Sequence, residues 1–226
     1  MKLSIIIPVL NEAGRIAVAL IALQPLRERG AEILVVDGGS TDGTAEIAAR
    51  GADHVITAPR GRASQQNAGA QHALGDTFLF LHSDTQLPVD ADGLIADVLD
   101  HSAVQWGRFD VRFDANLAML RVIATMMNTR SRLTGIATGD QSIFVRRSAF
   151  EAAGGFPALA LMEDIALSAL LRRQSAPACL RNKVTTSARR WQKNGIWRTI
   201  FLMWGLRLAY ALGVSPARLA RWYGQS

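Results

Sequence analysis

Two hydrophobic periods alternate along the first half of the chain, and that alternation leaves few folds open. Short apolar runs at 3–8, 32–37, 54–57 and 77–82 are separated by amphipathic helical patterns at about 12–28, 42–49 and 62–74. Runs this uniformly apolar suit strands buried on both faces, as in parallel sheets covered by helices. Strands alternating with helices predict βαβ units, so the fold class is α/β with a mixed, mainly parallel sheet flanked by helices. Functional residues are then expected at the carboxyl ends of the strands. The second half is less regular, with a strand near 104–113, a helix over about 116–132, a strand at 142–145, a helix at 162–173 and an extended segment at 178–186.

A chain of 226 residues, 49% of them hydrophobic, accommodates one such domain and a short appendage. Its single cysteine, Cys179, excludes an internal disulfide and a cysteine-based zinc centre, and fits a reducing cytoplasm. The apolar run 3–10 contains Pro8 and is followed by Asn11-Glu12, so it reads as a first strand and not as a secretion signal.

Charge divides the chain. Residues 165–226 hold eleven basic and no acidic side chains, whereas residues 1–164 hold fourteen basic and nineteen acidic ones. An acidic body with a basic tail points to a polyanionic partner for the tail. Within that tail, 196–212 is mostly apolar but broken by Arg198 and Arg207, and it falls short of the ~20 apolar residues a spanning helix needs. Trp197, Phe201, Trp204 and Leu208 share one helix face, flanked by Arg189, Arg190, Lys193, Arg198, Arg218 and Arg221. Two readings are open: a helix lying in a lipid interface, and a core-packing helix with its arginines in solvent. The first would place the protein peripherally on the inner face of the cytoplasmic membrane. No nucleic-acid reader motif accompanies the basic tail, so no nucleic-acid partner is expected.

Four groups of residues at strand ends carry chemistry. Pro8-Val9-Leu10-Asn11-Glu12 stops the first ladder and caps the next helix. The second strand delivers Asp37 into the turn Gly38-Gly39-Ser40-Thr41-Asp42, where a carboxylate can accept from a nucleobase or ribose, or simply close an Asx turn. His82-Ser83-Asp84 follows the fourth apolar run, and Asp84 is a hard oxygen donor suited to Mg²⁺ or Mn²⁺. Glu163-Asp164 opens a helix, where acids are favoured by the helix dipole and where one of them can act as a general base. No GxGxxG follows the first strand, so a dinucleotide site is not indicated.

In this order and spacing the four groups resemble the family 2 glycosyltransferases of the GT-A fold, over nearly all of the chain to about Trp191. The resemblance divides the chain into a transferase domain, 1–191, and a basic amphipathic helical tail, 192–226. Pro59-Arg60-Gly61-Arg62-Ala63-Ser64-Gln65-Gln66-Asn67-Ala68-Gly69-Ala70, Gly139-Asp140-Gln141 and Gly154-Gly155-Phe156-Pro157 add a similarity to the bacterial selenodomain-associated transferases.

The resemblance implies roles. Pro8 and Glu12 match the first nucleotide-contacting loop, and Asp37 the residue that reads the base, commonly uracil. Arg62 and Asn67 match a loop beside the phosphates, and Asp84 the last acid of the family's DxD-type metal motif. Asp164 matches the catalytic base, with Glu163, Arg190 and Trp191 expected on the acceptor side; Gly139-Asp140-Gln141 either lines the acceptor pocket, with Asp140 near the transferred sugar and Gln141 beside it, or is a polar turn before the strand at 142–145. His82 stands where that metal motif begins with Asp, and Ser187 stands where processive members have Gln ahead of Arg190-Trp191. The first departure affects the metal; the second argues against a polymer-making synthase. The implied activity is inverting transfer of a sugar from a nucleotide-sugar donor, a UDP-sugar foremost, to an acceptor hydroxyl, lipid or lipid-linked in keeping with the tail. Two rivals are a sugar nucleotidyltransferase, which would need a glycine- and basic-rich signature after the first strand, and a non-catalytic membrane-associated nucleotide-sugar-binding protein, which would need no base.

Overall fold

A computed structural model describes residues 1–101 and 103–224. Strands β1 (Leu3–Val9), β2 (Glu32–Asp37), β3 (His54–Thr57) and β4 (Thr77–Phe80) alternate with helices α1 (Ala13–Glu28), α2 (Thr44–Ala48) and α3 (Arg62–His72). The two-residue strand β5 (Thr85–Gln86) and helix α4 (Ala91–Leu99) lead to β6 (Trp106–Phe113) and the long helix α5 (Ala118–Thr134). A 3₁₀ turn (Gly139–Gln141) precedes β7 (Phe144–Arg146) and α6 (Arg147–Ala152), followed by α7 (Glu163–Leu171) and β8 (Ala178–Thr186). Helices α8 (Arg189–Asn194), α9 (Ile196–Ala211) and α10 (Pro216–Tyr223) end the described chain.

The strands form one eight-stranded sheet in the order β3-β2-β1-β4-β7-β6-β8-β5. Pairs among β1, β2, β3 and β4 are parallel, as is β6 with β8, while β7 is antiparallel to both neighbours and β5 to β8. The sheet is therefore mixed and mainly parallel, as the alternating periods imply. Side chains of the central strands divide by parity: Ile5, Ile7, Ile33, Val35 and Leu79 enter one core with α1 and α4, and Ile6, Leu34, Val36, Phe78 and Phe80 enter another with α3, α6 and α7. This two-sided burial is why the strands carry no polar alternation.

Register fixes the functional edge. Val9 pairs with Asp37, Asp37 with Thr57, and Ile6 with Phe80, so the carboxyl ends of β1 to β4 lie along one side. The fourth strand ends at Phe80 and not at His82 as its sequence indicates, because Phe80 N–H bonds Ile143 O and Leu81 N–H bonds Ile6 O before the chain turns. His82 thus leaves the ladder and enters the loop at this edge.

The tail packs back on the body. Leu206 of α9 and Leu219 and Ala220 of α10 are buried against Leu161 and Met162, immediately before the acidic pair of α7. Trp197, Phe201, Trp204 and Leu208 occupy the opposite face of α9 and are 58–68% exposed. The structure thus combines elements of both sequence readings: one side of α9 packs on the body and the aromatic side faces outward. Among the described residues no helix is long and apolar enough to cross a membrane.

Candidate active site

The loops after β1 and β2 are sewn together by hydrogen bonds. Asn11 N–H donates to Ser40 Oγ, Thr41 N–H to Asn11 Oδ1, Glu12 N–H to Thr44 Oγ1 and Ala13 N–H to Asp42 Oδ2, all at 2.9–3.1 Å. Asn11 adopts φ 53°, a left-handed conformation that asparagine tolerates better than most residues. Beneath the loops, the buried Gln65 amide donates to Val9 O at 2.8 Å and Val36 O at 2.7 Å, clamping the carboxyl ends of β1 and β2. Val9 O also accepts Gly38 N–H at 3.0 Å, so Gln65 adds a second bond there and ties it to Val36 O. Its place inside a polar helical stretch gave no sequence signal beyond helix.

Pro8 and Glu12 flank this seam, and Glu12 pairs with Arg15 at 3.2 Å. Asp37 is buried, and its carboxylate closes its own turn on Gly39 N–H, Ser40 N–H and the Ser40 hydroxyl. Asn67 is occupied likewise: its Nδ2 donates to Phe156 O at 2.8 Å and its Oδ1 accepts from Phe156 N–H at 2.9 Å. That places Asn67 as a strut between α3 and the Gly154-Gly155-Phe156 turn.

A second group gathers around the start of α7. Asp164 Oδ2 accepts from Gly139 N–H at 2.8 Å and Oδ1 from Ile165 N–H at 2.7 Å, so two backbone donors orient the carboxylate. His82 Nδ1 lies 3.4 Å from Asp140 Oδ1. A Cβ on Gly139 would come 2.6 Å from His82 Nε2, so glycine is what allows the imidazole to lie against this turn. Asp140, Asp164 and Glu163 all act electrostatically on Arg62 at the first position of α3. Arg190 lies 4.2 Å over the ring of Tyr223, and both belong to the same charge cluster.

Opposing forces set the proton affinities here. Burial pushes Glu163 up to about 7, aided by the charge of Asp164 and opposed by Arg62. Burial also raises Asp164, against the pull of Gly139 N–H, Ile165 N–H and Arg62. For Asp140, burial raises the carboxyl, but the His82 hydrogen bond and the charges of His82, Arg62 and Arg190 outweigh it and hold it below the ordinary range. Partial desolvation works to lower the exposed Arg62, yet Glu163, Tyr223, Asp140 and Asp164 keep it above its usual value. Carboxylates driven apart in proton affinity beside a cation make this cluster the candidate for proton transfer.

Not every expected residue faces this group. Trp191 stacks edge-on against Phe113 with centroids 5.7 Å apart and packs in the cluster of Leu120, Ile123 and Ala188. Gln141 is fully buried and caps the 3₁₀ turn on Thr138. Tyr223 went unnoticed in the sequence because only the return of α10 brings it here. Two cavities lie away from this edge: one of about 400 Å³ between α5 and β8, lined by Asp110, Asn128, Arg132 and Lys183, and one of about 240 Å³ near Met1 and Arg29. Neither contains a motif residue, and the electrostatic convergence on Asp164, not concavity, marks the site.

Metal chemistry can be tested on the donor set. The half-buried Asp84 carboxylate makes no hydrogen bond or ion pair with another described residue, and among the described residues no three His, Cys, Asp or Glu side chains form a cage. A Mg²⁺-type ion on a diphosphate needs only one or two protein carboxylates, the rest being water and phosphate oxygens, so Asp84 fits. His82, with its ring between Asp140 and Gly139, is turned to protein on both nitrogens.

The model of the family "Glycosyl transferase family 2" matches residues 4–154. The chain belongs to that family. Solved structures share its fold. The 1–349 fragment of S. aureus TarS in complex with UDP-GlcNAc superposes with a TM-score of 0.69 at 19% identity, over 83% of this chain and 58% of that one. The mannosyltransferase PcManGT from Pyrobaculum calidifontis, in complex with GDP-Man and Mn²⁺, gives 0.63 at 22% identity, over 92% and 61%. Glucosyl-3-phosphoglycerate synthase from Mycobacterium tuberculosis, with Mn²⁺, UDP and glucosyl-3-phosphoglycerate, gives 0.60 at 18%, over 82% and 70%. The chain spans about three fifths of the TarS fragments it matches.

Proposed function

We propose that this family 2 chain transfers a sugar from a nucleotide-sugar donor, a UDP-sugar foremost, to an acceptor hydroxyl with inversion at the anomeric carbon. The observation that carries the reading is the Asp164 carboxylate, aimed by two backbone N–H groups and raised in proton affinity beside Arg62, at the edge where β1 to β4 end. A raised proton affinity makes the ionised carboxylate a stronger acceptor for the hydroxyl proton.

In this reading the Asn11–Thr44 seam cradles the nucleoside, with Asp37 freed from its own turn or accepting through its remaining lone pairs. Arg62 faces the phosphates. The acceptor oxygen forms the new bond to the anomeric carbon, the bond from that carbon to the diphosphate oxygen breaks, and the acceptor proton passes to Asp164. Asp84 would hold a divalent ion, Mg²⁺ or Mn²⁺, whose positive charge would stabilise the leaving diphosphate. His82 and Asp140 brace one another on the sugar side, and Glu163, protonated below about 7, keeps a second negative charge from crowding Asp164.

The acceptor is presented at a membrane surface. Support comes from the outward aromatic face of α9 together with the exposed cations Arg189, Arg190, Lys193, Arg198, Arg218 and Arg221, a combination that matches an anionic interface. The decisive experiment measures turnover of an identified donor by Asp164→Asn. Loss of about 10²–10⁴-fold in kcat with donor affinity retained is expected; turnover near the wild-type rate removes Asp164 from the role.

A further inference from the structure

Among the described residues, three other than glycine have positive φ: Asn11, Ser142 and Met162. All three lie on segments that build the site: the seam after β1, the end of the 3₁₀ turn at 139–141 and the start of α7. Met162 is the outlier. Its φ of 70° and ψ of 18° are left-handed, and its side chain has no polar group to bond the nearby backbone in compensation. For such a residue this conformation is disfavoured by roughly five- to thirtyfold against right-handed alternatives. A strained residue persists only where its surroundings over-determine it, and such residues gather at functional sites.

Helix α7 starts from Met162. Its carbonyl accepts Ala166 N–H at 3.0 Å, and Glu163 and Asp164 follow it directly. The direction in which the backbone leaves Met162 therefore fixes where the Asp164 carboxylate meets Gly139 N–H, 2.8 Å away. A return of Met162 to negative φ would swing the first turn of α7 and part that bond.

The surroundings that hold Met162 come from the tail. Its side chain is 6% exposed and lies in an apolar cluster whose other buried members are Leu161, Leu206 of α9, and Leu219 and Ala220 of α10. Leu161 is its chain neighbour, so the two tail helices supply the long-range part of the grip. Tyr223, at the end of α10, packs on the same cluster, and the Arg190 guanidinium lies 4.2 Å over its ring, which ties α8 to α10.

We propose that the basic tail is a positioning element for the base: α9 and α10 grip Met162, keep its backbone left-handed and so hold the Asp164 carboxylate against Gly139 N–H. This rests on the transferase reading above and extends it from residues 1–191 into the tail. Met162 and Leu219 are positioning residues in this scheme, acting only through Asp164.

The test compares the full chain with its Leu219→Ala, Met162→Ala and Met162→Gly variants. Each is measured for amide exchange, residue by residue by NMR, for UDP affinity in Mn²⁺ by calorimetry, and for turnover of a UDP-sugar that the wild type consumes. In Leu219→Ala the Gly139 amide should exchange about tenfold faster or more, with the amides of Ile6, Leu34 and Val35 unchanged and UDP affinity retained. The Met162 pair isolates the backbone. Both variants lose the side chain, but only glycine holds positive φ without support. Gly139 should therefore exchange about fivefold or more faster in Met162→Ala than in Met162→Gly, and turnover should be the lower in Met162→Ala. A packing role alone gives the reverse order or no difference, because glycine removes the larger part of the side chain. Equal exchange at Gly139 in wild type and Leu219→Ala overturns the proposal. So does exchange in Met162→Gly as fast as in Met162→Ala, or an equal acceleration of Ile6, Leu34 and Val35, which would make the tail a general stabiliser of the fold. If the exchange order holds but Asp164→Asn turns over like wild type, the transferase reading loses its base and the link between tail and Asp164 stands. If Asp164→Asn loses turnover but the exchange order fails, the base stands and the positioning role falls.

Discussion

Replacing Glu163 by glutamine should make the protein more stable at pH 8 and leave it nearly unchanged at pH 5. Glu163 is 5% exposed at the first position of α7. Burial is the main reason its carboxyl rises from 4.5 to about 7, with the Asp164 charge adding to it. Between those values the folded protein keeps the proton and the unfolded chain has released it. Stability from this group is therefore fully present below pH 4.5 and is lost as pH rises through about 7. The gap of 2.5 between the two values, at about 1.36 kcal/mol each, amounts to ~3 kcal/mol. Glutamine cannot ionise, so the variant escapes that loss. Asp164 shifts in the same direction but remains in both proteins, and Asp140 lies below 3.8, outside the window. Urea unfolding followed by tryptophan fluorescence at pH 5, 6, 7 and 8 and fixed ionic strength reads the difference. The variant should gain progressively, reaching up to about 3 kcal/mol at pH 8, or roughly 6–12 °C in Tm for a chain of this size. Parallel pH profiles for the two proteins, or a variant less stable at pH 8, would refute the argument that burial and Asp164 hold a proton on Glu163.

Three further outcomes are expected. Asp84→Ala should abolish the strengthening of UDP binding by Mn²⁺ in calorimetry while leaving binding in chelator unchanged; equal gains from metal in both proteins would exclude Asp84 as a ligand. Gly139→Ala places a Cβ 2.6 Å from His82 Nε2 and disturbs the N–H that lowers Asp164, so the acidic limb of the kcat/KM pH profile should move to higher pH, and an unmoved limb counts against that N–H as a tuning group. Phe201→Glu with Trp204→Glu removes apolar surface from side chains that are 68% and 58% exposed; it should release the protein from anionic liposomes in flotation without lowering Tm by more than about 1 °C, and unaltered flotation would discard the membrane-surface reading.

The local sequence was enough for the sheet's parallel half, because each strand there is a short apolar run bounded by turn residues and followed by a helical period. β2 and β3 run over the residues their sequence indicates, and α3 begins at Arg62 as expected. Hydrophobic period reports burial directly, and in these strands burial follows from composition alone. The second half was harder. The two-residue β5 exists only because β8 offers it a partner, and the helices over 91–99 and 147–152 are too short to stand out as periods. The family resemblance likewise followed from the residues themselves, since the strand-end motifs are contiguous, and the family match over residues 4–154 bears it out.

What no stretch of sequence could decide is which charges meet. Gly139 and Asp164 are 25 positions apart, and the bond between them sets the orientation of the proposed base. Asn67 looks like a ligand residue until Phe156, 89 positions away, occupies its amide. Tyr223 reaches the acidic cluster only because α10 folds back onto Leu161 and Met162. Hydrophobic periods are local and survive in one dimension. Proton affinities and unpaired charges are sums over neighbours in space, and those neighbours are assembled only when the chain closes on itself.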